Sequence, residues 1–292
     1  MRKIISLLFI LLVVTPVNGC LKRDEFENVT VYTTSYPIEF LTSVLYGYNS
    51  EVHSIYPAGV DINTYKLTSK QIRDYSKSAI FVYNGLTPEK QIAKDFVNEN
   101  GNLRIIDVSF GLKYENDITE LWLSPNNYLM LGATIKNNLQ DFILNKYIKE
   151  EIENNYVIKL EEPLSLMDAN LRNLGTISKN ENKNILIASS KIFKFLENYG
   201  FEVIVLDDEV NLTTNSINNL KNNFKNGTYQ YILVGDNEEN SELIEELIAN
   251  NAKVLIFKTM LNLTDEQREN NETYFTMMQE NMEILKTVTI GN

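Results

Sequence analysis

From residue 29 onward, short runs rich in Val, Ile, Tyr and Phe alternate with amphipathic stretches, and the chain goes through this alternation twice. No other feature constrains the fold as strongly. Strands separated by helix-length segments close readily only as parallel sheets, with the crossover helices packed on both faces. In the first round, strands are expected at 29–33, 51–56, 79–83 and 103–108. Helices are expected at 37–45, at 68–77, from Thr87-Pro88-Glu89 to about Asn98, and from Ser124-Pro125 to about Leu144. In the second round, strands are expected at 185–188, 201–206, 229–234 and 253–257, with helices at 192–199, 215–224 and 238–250. A last helix, 264 to about 286, opens on the capping box Thr264-Asp265-Glu266-Gln267. Between the rounds, Leu160, Leu164, Met167, Leu171 and Leu174 recur at spacings of three and four, the stripe of a long helix. Pro163 is a candidate kink in it, and Gly175 its expected stop. The expected organisation is an α/β protein of two lobes, each a mostly parallel sheet flanked by helices. The N-terminal lobe is 29–147, the connecting helix 148–178 and the C-terminal lobe 179–292.

The first residues read as a targeting segment. Met1-Arg2-Lys3 is a basic start, and Ile4 to Val14 is an unbroken apolar run. Such a run is too short to span a bilayer, which takes about 20 residues, and suits a secretory signal. Val17-Asn18-Gly19-Cys20 then resembles a bacterial lipobox, with the only Cys of the chain at the position that is lipidated. Residues 1–19 are therefore expected to be a signal peptide. Residues 20–28 would be a tether anchored to the membrane through Cys20, with the protein body extracytoplasmic.

Residue counts exclude much chemistry. The net charge is −12, which argues against nucleic acid as a partner. One Cys leaves no disulfide framework, and one His leaves no site that needs two imidazoles. Phosphate-binding glycine loops and a Ser nucleophile elbow are absent, so nothing supports an enzyme and no cofactor is expected. His53 reads as a strand residue. Asp207-Asp208-Glu209, Glu238-Glu239 and Glu161-Glu162 read as solvated surface, and Asn226-Gly227-Thr228 as a chance glycosylation match.

Several segments, in order along the chain, resemble the zinc/manganese ABC-transporter solute-binding lipoproteins. They are Val31 to Pro37; Tyr56-Pro57-Ala58-Gly59-Val60-Asp61-Ile62-Asn63-Thr64-Tyr65; and Ala79 to Leu86, with its terminal Asn84-Gly85. Further along come Leu121-Trp122-Leu123-Ser124-Pro125, Phe193 to Gly200, and Tyr274, Met277, Met278, Asn281 and Leu285 of the last helix. The resemblance implies two α/β lobes joined by one long rigid helix, a ligand held in the cleft between them, and an ABC permease as partner. It also implies four metal ligands at set positions. Here those positions fall on Asn63, Glu120 and Ser190, and near Phe257, where no acid stands.

The scaffold motifs are thus retained and the zinc ligands are not, so no metal residue is assigned. The expected function is the solute-binding subunit of a metal-type importer, with its ligand, metal ion or small solute, altered or absent. The alternative is a surface lipoprotein that uses the scaffold to bind a protein partner. Candidate cleft positions are Asn63, Glu120 and Ser190, each at a strand end or helix start. Asp236, just past the strand 229–234, joins them, and any cation they held would be a hard one.

Overall fold

The structure, a computed structural model, describes residues 24–207 and 212–291. The signal segment, Cys20, Asp208 and Glu209 lie outside the described residues.

The first lobe runs β1 (Val29–Thr33), α1 (Tyr36–Tyr46), β2 (Ser50–Ser54), α2 (Ser69–Tyr75), β3 (Ile80–Tyr83), α3 (Glu89–Glu99) and β4 (Arg104–Asp107). Its four strands are all parallel and ordered β2-β1-β3-β4. β3 is buried at every position, as a central strand covered on both faces must be. Two helices close the lobe, α4 (Glu120–Leu123) and α5 (Pro125–Phe142), the second starting on its proline.

The chain then runs as one helix over 146–180. α6 (Lys146–Tyr156) passes through a π-helical turn (Val157–Glu161) into α7 (Glu162–Asn180). The π turn lies directly before Pro163, whose ring cannot accept the regular α spacing and whose nitrogen offers no donor. The proline is thus absorbed by local widening and the helix is not interrupted. Gly175 is not the helix stop that its type suggested. It is buried inside α7, where a Cβ would lie 1.8 Å from the carbonyl oxygen of Tyr199. The glycine serves close packing of this helix against the second lobe.

The second lobe repeats the first in β5 (Ile185–Ala188), a 3₁₀ helix (Lys191–Tyr199), β6 (Glu202–Val205), α8 (Thr214–Lys225), β7 (Tyr231–Gly235), α9 (Glu242–Ile248) and β8 (Lys253–Phe257). The strand order is β6-β5-β7-β8, again all parallel. The expected final helix is two helices. α10 (Asp265–Glu269) ends at Asn270, and Asn271 turns the chain through a positive φ of 54°. Thr273 then forms a second capping box, with Thr276, that opens α11 (Tyr274–Thr289).

One hydrophobic core runs through both lobes, from Leu41 and Tyr128 through Leu164 and Leu174 to Phe193, Phe257 and Tyr274. Polar straps reinforce it. The Trp122 indole N–H donates to the carbonyl of Thr259 at 2.8 Å, and the Tyr274 hydroxyl to the carbonyl of Trp122 at 2.7 Å. The Ser124 and Tyr199 hydroxyls are 3.0 Å apart. After β8 the chain crosses onto the first lobe. There Gly59 N–H donates to the carbonyl of Leu263 at 2.8 Å, and Asn262 Nδ2 to the carbonyls of Pro57 and Val60 at 2.8 and 3.1 Å.

Candidate functional site

The crossing segment and the loop after β2 enclose a cleft of about 730 Å³ between the lobes. Its walls are Gly59 to Asn63 on one side and Asp236, Asn237 and residues from Lys258 to Glu272 on the other. Asp61, Asp236, Glu266 and Glu272 line it against one cation, Lys258, so the cleft carries an acidic excess. The carboxyl of Asp61 is held below the usual carboxylate range by the Asn63 N–H and the Thr64 hydroxyl. Among the described residues, no three His, Cys, Asp or Glu side chains converge to hold a metal ion.

Two of the four expected positions meet here. Asn63, exposed, and Asp236, also exposed, line the same cleft from opposite lobes. Asp236 is partly committed: its Oδ1 accepts from the Thr259 N–H at 3.0 Å and from the Thr259 hydroxyl at 2.5 Å. Glu120 and Ser190 are not among the residues lining the cleft. Glu120 is buried, and its carboxylate accepts the backbone N–H groups of Glu115, Asn116 and Asp117 at 3.0, 2.7 and 3.2 Å. It clasps its own loop. Ser190 stands at the cap of the 3₁₀ helix, its Oγ buried and, among the described residues, without a hydrogen-bond partner. The sole His, His53, lies half-exposed on edge strand β2, 3.9 Å from Glu51, itself exposed.

A second cavity, about 670 Å³, opens inside the first lobe at the carboxyl ends of β1 and β3. In a sheet ordered β2-β1-β3-β4 this is the point where the winding reverses, the place ligands favour in open α/β folds. Its walls are mostly apolar and include Tyr56, Tyr65, Leu86 and Trp122, with Leu261 reaching in from the second lobe. Ser35, Asn84 and Glu89 also line it, with Asn63, Asp95 and the exposed Lys66.

Glu89 is the residue that sequence reasoning passed over. As the first residue of α3 it reads as a helix-starting acid in solvent, yet it is 6% exposed. Its Oε2 accepts the N–H of Asn84 at 3.1 Å. Burial pushes its carboxyl up to about 7, against the hydroxyls of Thr34 and Thr87 and the Asn84 N–H, which favour the ionised form. Thr34 Oγ1 lies near the carboxylate but falls short of a formed hydrogen bond, and it is fully buried. The available signal was position: an acid six residues past a buried strand end in a parallel sheet can turn back toward that strand.

Two parallel lobes of matching strand order, one continuous helix between them and a cleft at their junction define the architecture of a rigid-helix solute receptor. The comparisons agree. The model of the family "zinc-uptake complex component A periplasmic" matches residues 31–288, and the chain belongs to that family, which consists of extracytoplasmic solute-binding proteins serving ABC permeases. Structural likeness extends to the metal-dependent lipoprotein YcdH of Bacillus subtilis, at TM-score 0.74 and 20% identity over 90% of this chain and 100% of that one. It extends to the Zn(II)-bound ZnuA-like domain of Streptococcus pneumoniae AdcA, at 0.72 and 19% over 90% and 99%. The periplasmic zinc-binding protein TroA of Treponema pallidum matches at 0.67 and 16% over 90% and 99%. No curated protein matches the sequence significantly. Among the described residues, no helix is long and apolar enough to cross a membrane.

Proposed function

We propose that this chain is the lipid-anchored receptor of an ABC importer whose inter-lobe cleft has lost the imidazole zinc site and takes a different ligand. The observation that carries this reading is the state of Glu120. It is the only acid at a position where the family resemblance places a ligand, and three backbone N–H groups occupy its carboxylate. Withdrawing it to bind a cation would give up three charge-assisted hydrogen bonds in a partly exposed loop, at about 1 kcal/mol each. The single His in the sequence removes the remaining nitrogen chemistry that zinc prefers. Asn63 and Asp236 supply only oxygens to the cleft. Anchoring through Cys20 completes the reading, with the acidic body held at the outer face of the membrane beside the permease.

Thermal melting and calorimetry with Zn²⁺ test the ligand. A ligand at 100 times its Kd stabilises a fold by about 2.7 kcal/mol, and Zn²⁺ is expected to give far less. Submicromolar, chelator-reversible zinc binding would overturn the reading. Incorporation of labelled lipid into wild type and not into Cys20→Ala tests the anchor.

A further inference from the structure

The first-lobe cavity has a composition that the inter-lobe cleft lacks: aromatic and aliphatic walls beside the buried carboxylate of Glu89, with Asp95 and the exposed Lys66 also in its lining. Tyr56 and Tyr65 meet edge to face at 5.9 Å and form one wall. Both are held in place. Tyr56 is 5% exposed, and the Tyr65 hydroxyl accepts from Gln71 at 2.8 Å. The Trp122 ring is pinned by its bond to Thr259. Glu89 faces the same space with one backbone N–H on Oε2 and, among the described residues, no lysine or arginine paired with it. A carboxylate in such surroundings is costly to ionise unless a cation arrives to pair with it.

We propose that this cavity binds a small organic ammonium ion, its charge against Glu89 and its carbon body against Tyr56, Tyr65 and Trp122. The inference rests on the reading of the chain as a solute receptor and names the solute class. The chemistry discriminates among ligand types. An anion would meet the carboxylates of Glu89 and Asp95, with the exposed Lys66 as the cavity's one cation to offset them. A neutral apolar molecule would leave the carboxylate unpaired, and a bare metal ion would find two acids, Glu89 and Asp95, and, among the described residues, no group of three to hold it. An ammonium ion gains both the ion pair and the ring faces, which attract cations over their π electrons. A cavity of this volume lies in the usual range for small-molecule sites with few polar groups.

Calorimetry of the mature protein, with phenethylamine as the probe and 2-phenylethanol as its neutral counterpart, tests the assignment. The amine is expected to bind at least about ten-fold more tightly than the alcohol. Glu89→Gln, which keeps an oxygen for the Asn84 N–H, is expected to erase that preference while binding the alcohol unchanged. Tyr65→Leu is expected to weaken the amine more than the alcohol. Absence of amine binding to wild type, equal binding of amine and alcohol, or an unaltered preference in Glu89→Gln would each overturn the proposal. If Glu89→Gln fails to fold, the wild-type pair and Tyr65→Leu still decide it. Zinc titration of the same samples judges the receptor reading separately: tight zinc binding would overturn the altered ligand whatever the amine does. Amine failure without zinc binding would remove only this solute class.

Discussion

The two lobes have the same strand order, and each places a glutamate beyond the third strand of its round, near the point where the winding reverses. They use it differently. In the second lobe, Glu238 Oε2 accepts the N–H of Gly235 at 2.8 Å and also a bond from the Ser189 hydroxyl, tying the ends of β5 and β7 together. A Cβ on Gly235 would lie within 3.1 Å of Ile192, Thr259 and Glu238, so that end of the sheet is closed by packing. In the first lobe, Glu89 holds one backbone N–H, and the space beside it is a cavity. One topology therefore yields a knotted end and an open end. The difference lies in how many donors each carboxylate satisfies and in what side chains crowd it. A strand order supplies a place for a ligand, and the local donors decide whether that place is filled.

The largest effect should come from the helix that joins the lobes. Gly175→Ala drives a methyl group into the Tyr199 carbonyl, a backbone atom that cannot swing away. We expect a loss of about 3–5 kcal/mol, read by denaturant unfolding. Gly132 in α5 offers the contrast. A Cβ there would meet side-chain atoms, the ends of Leu160 and Leu41 at 3.3 and 3.4 Å and the Tyr156 ring at 3.9 Å. Gly132→Ala should change stability by less than about 1 kcal/mol, since gained helix propensity offsets the tight contact. Equal losses for the two would show that the second-lobe contact is not special.

Glu120→Ala should cost about 1–3 kcal/mol in chemical denaturation, by removing the carboxylate that holds the N–H groups of Glu115, Asn116 and Asp117. Weak response to zinc should be the same before and after the change. A variant as stable as wild type would refute the clasp.

The open end predicts a pH signature. Glu89 is raised in the folded state to about 7 from an ordinary 4.5, so between those values the folded protein holds a proton that the unfolded chain has released. Stability from this group is full below the unfolded value and falls as pH rises toward 7, by at most about 3 kcal/mol. Glu89→Gln should flatten that part of the stability profile and be the more stable protein above pH 7. A wild-type profile parallel to that of the variant would show that the carboxylate is solvated and the cavity wetter than its walls suggest.

The smallest effect should come from the strap between α10 and α1. Arg268 pairs with both oxygens of Glu39 at 3.0 and 2.9 Å, but the arginine is one-third exposed. Arg268→Ala should cost no more than about 1 kcal/mol and lose part of that cost in high salt. A larger loss would mean that the lobes are held together by charge more than by their shared core.

Much of this architecture was legible in the residues. The two rounds of strands and helices, the proline-led starts and the stripe Leu160 to Leu174 depend on local periodicity and capping, which a sequence carries on its face. The shortage of imidazoles was legible too, because a count of one His needs no coordinates. Gly175 was misread as a helix stop, since nothing nearby in sequence announces the Tyr199 carbonyl that demands a glycine there. The last helix was read as one because the positive φ of Asn271 and the Thr273 cap lie within an otherwise helical stretch.

The site divides the same way. Chemistry of residue types was set by composition: an acidic chain with one His, whose cleft offers oxygens. Placement was settled only in three dimensions. Asn63 and Asp236 share a cleft because the segment after β8 crosses to the first lobe. Glu120 is spent on its own loop, and Glu89, read from sequence only as part of a helix start, turns inward beside Asn84. A sequence states which groups are present and their local periods. Whether a carboxylate meets water, an N–H or an open cavity depends on partners distant in the chain, and folding alone brings those together.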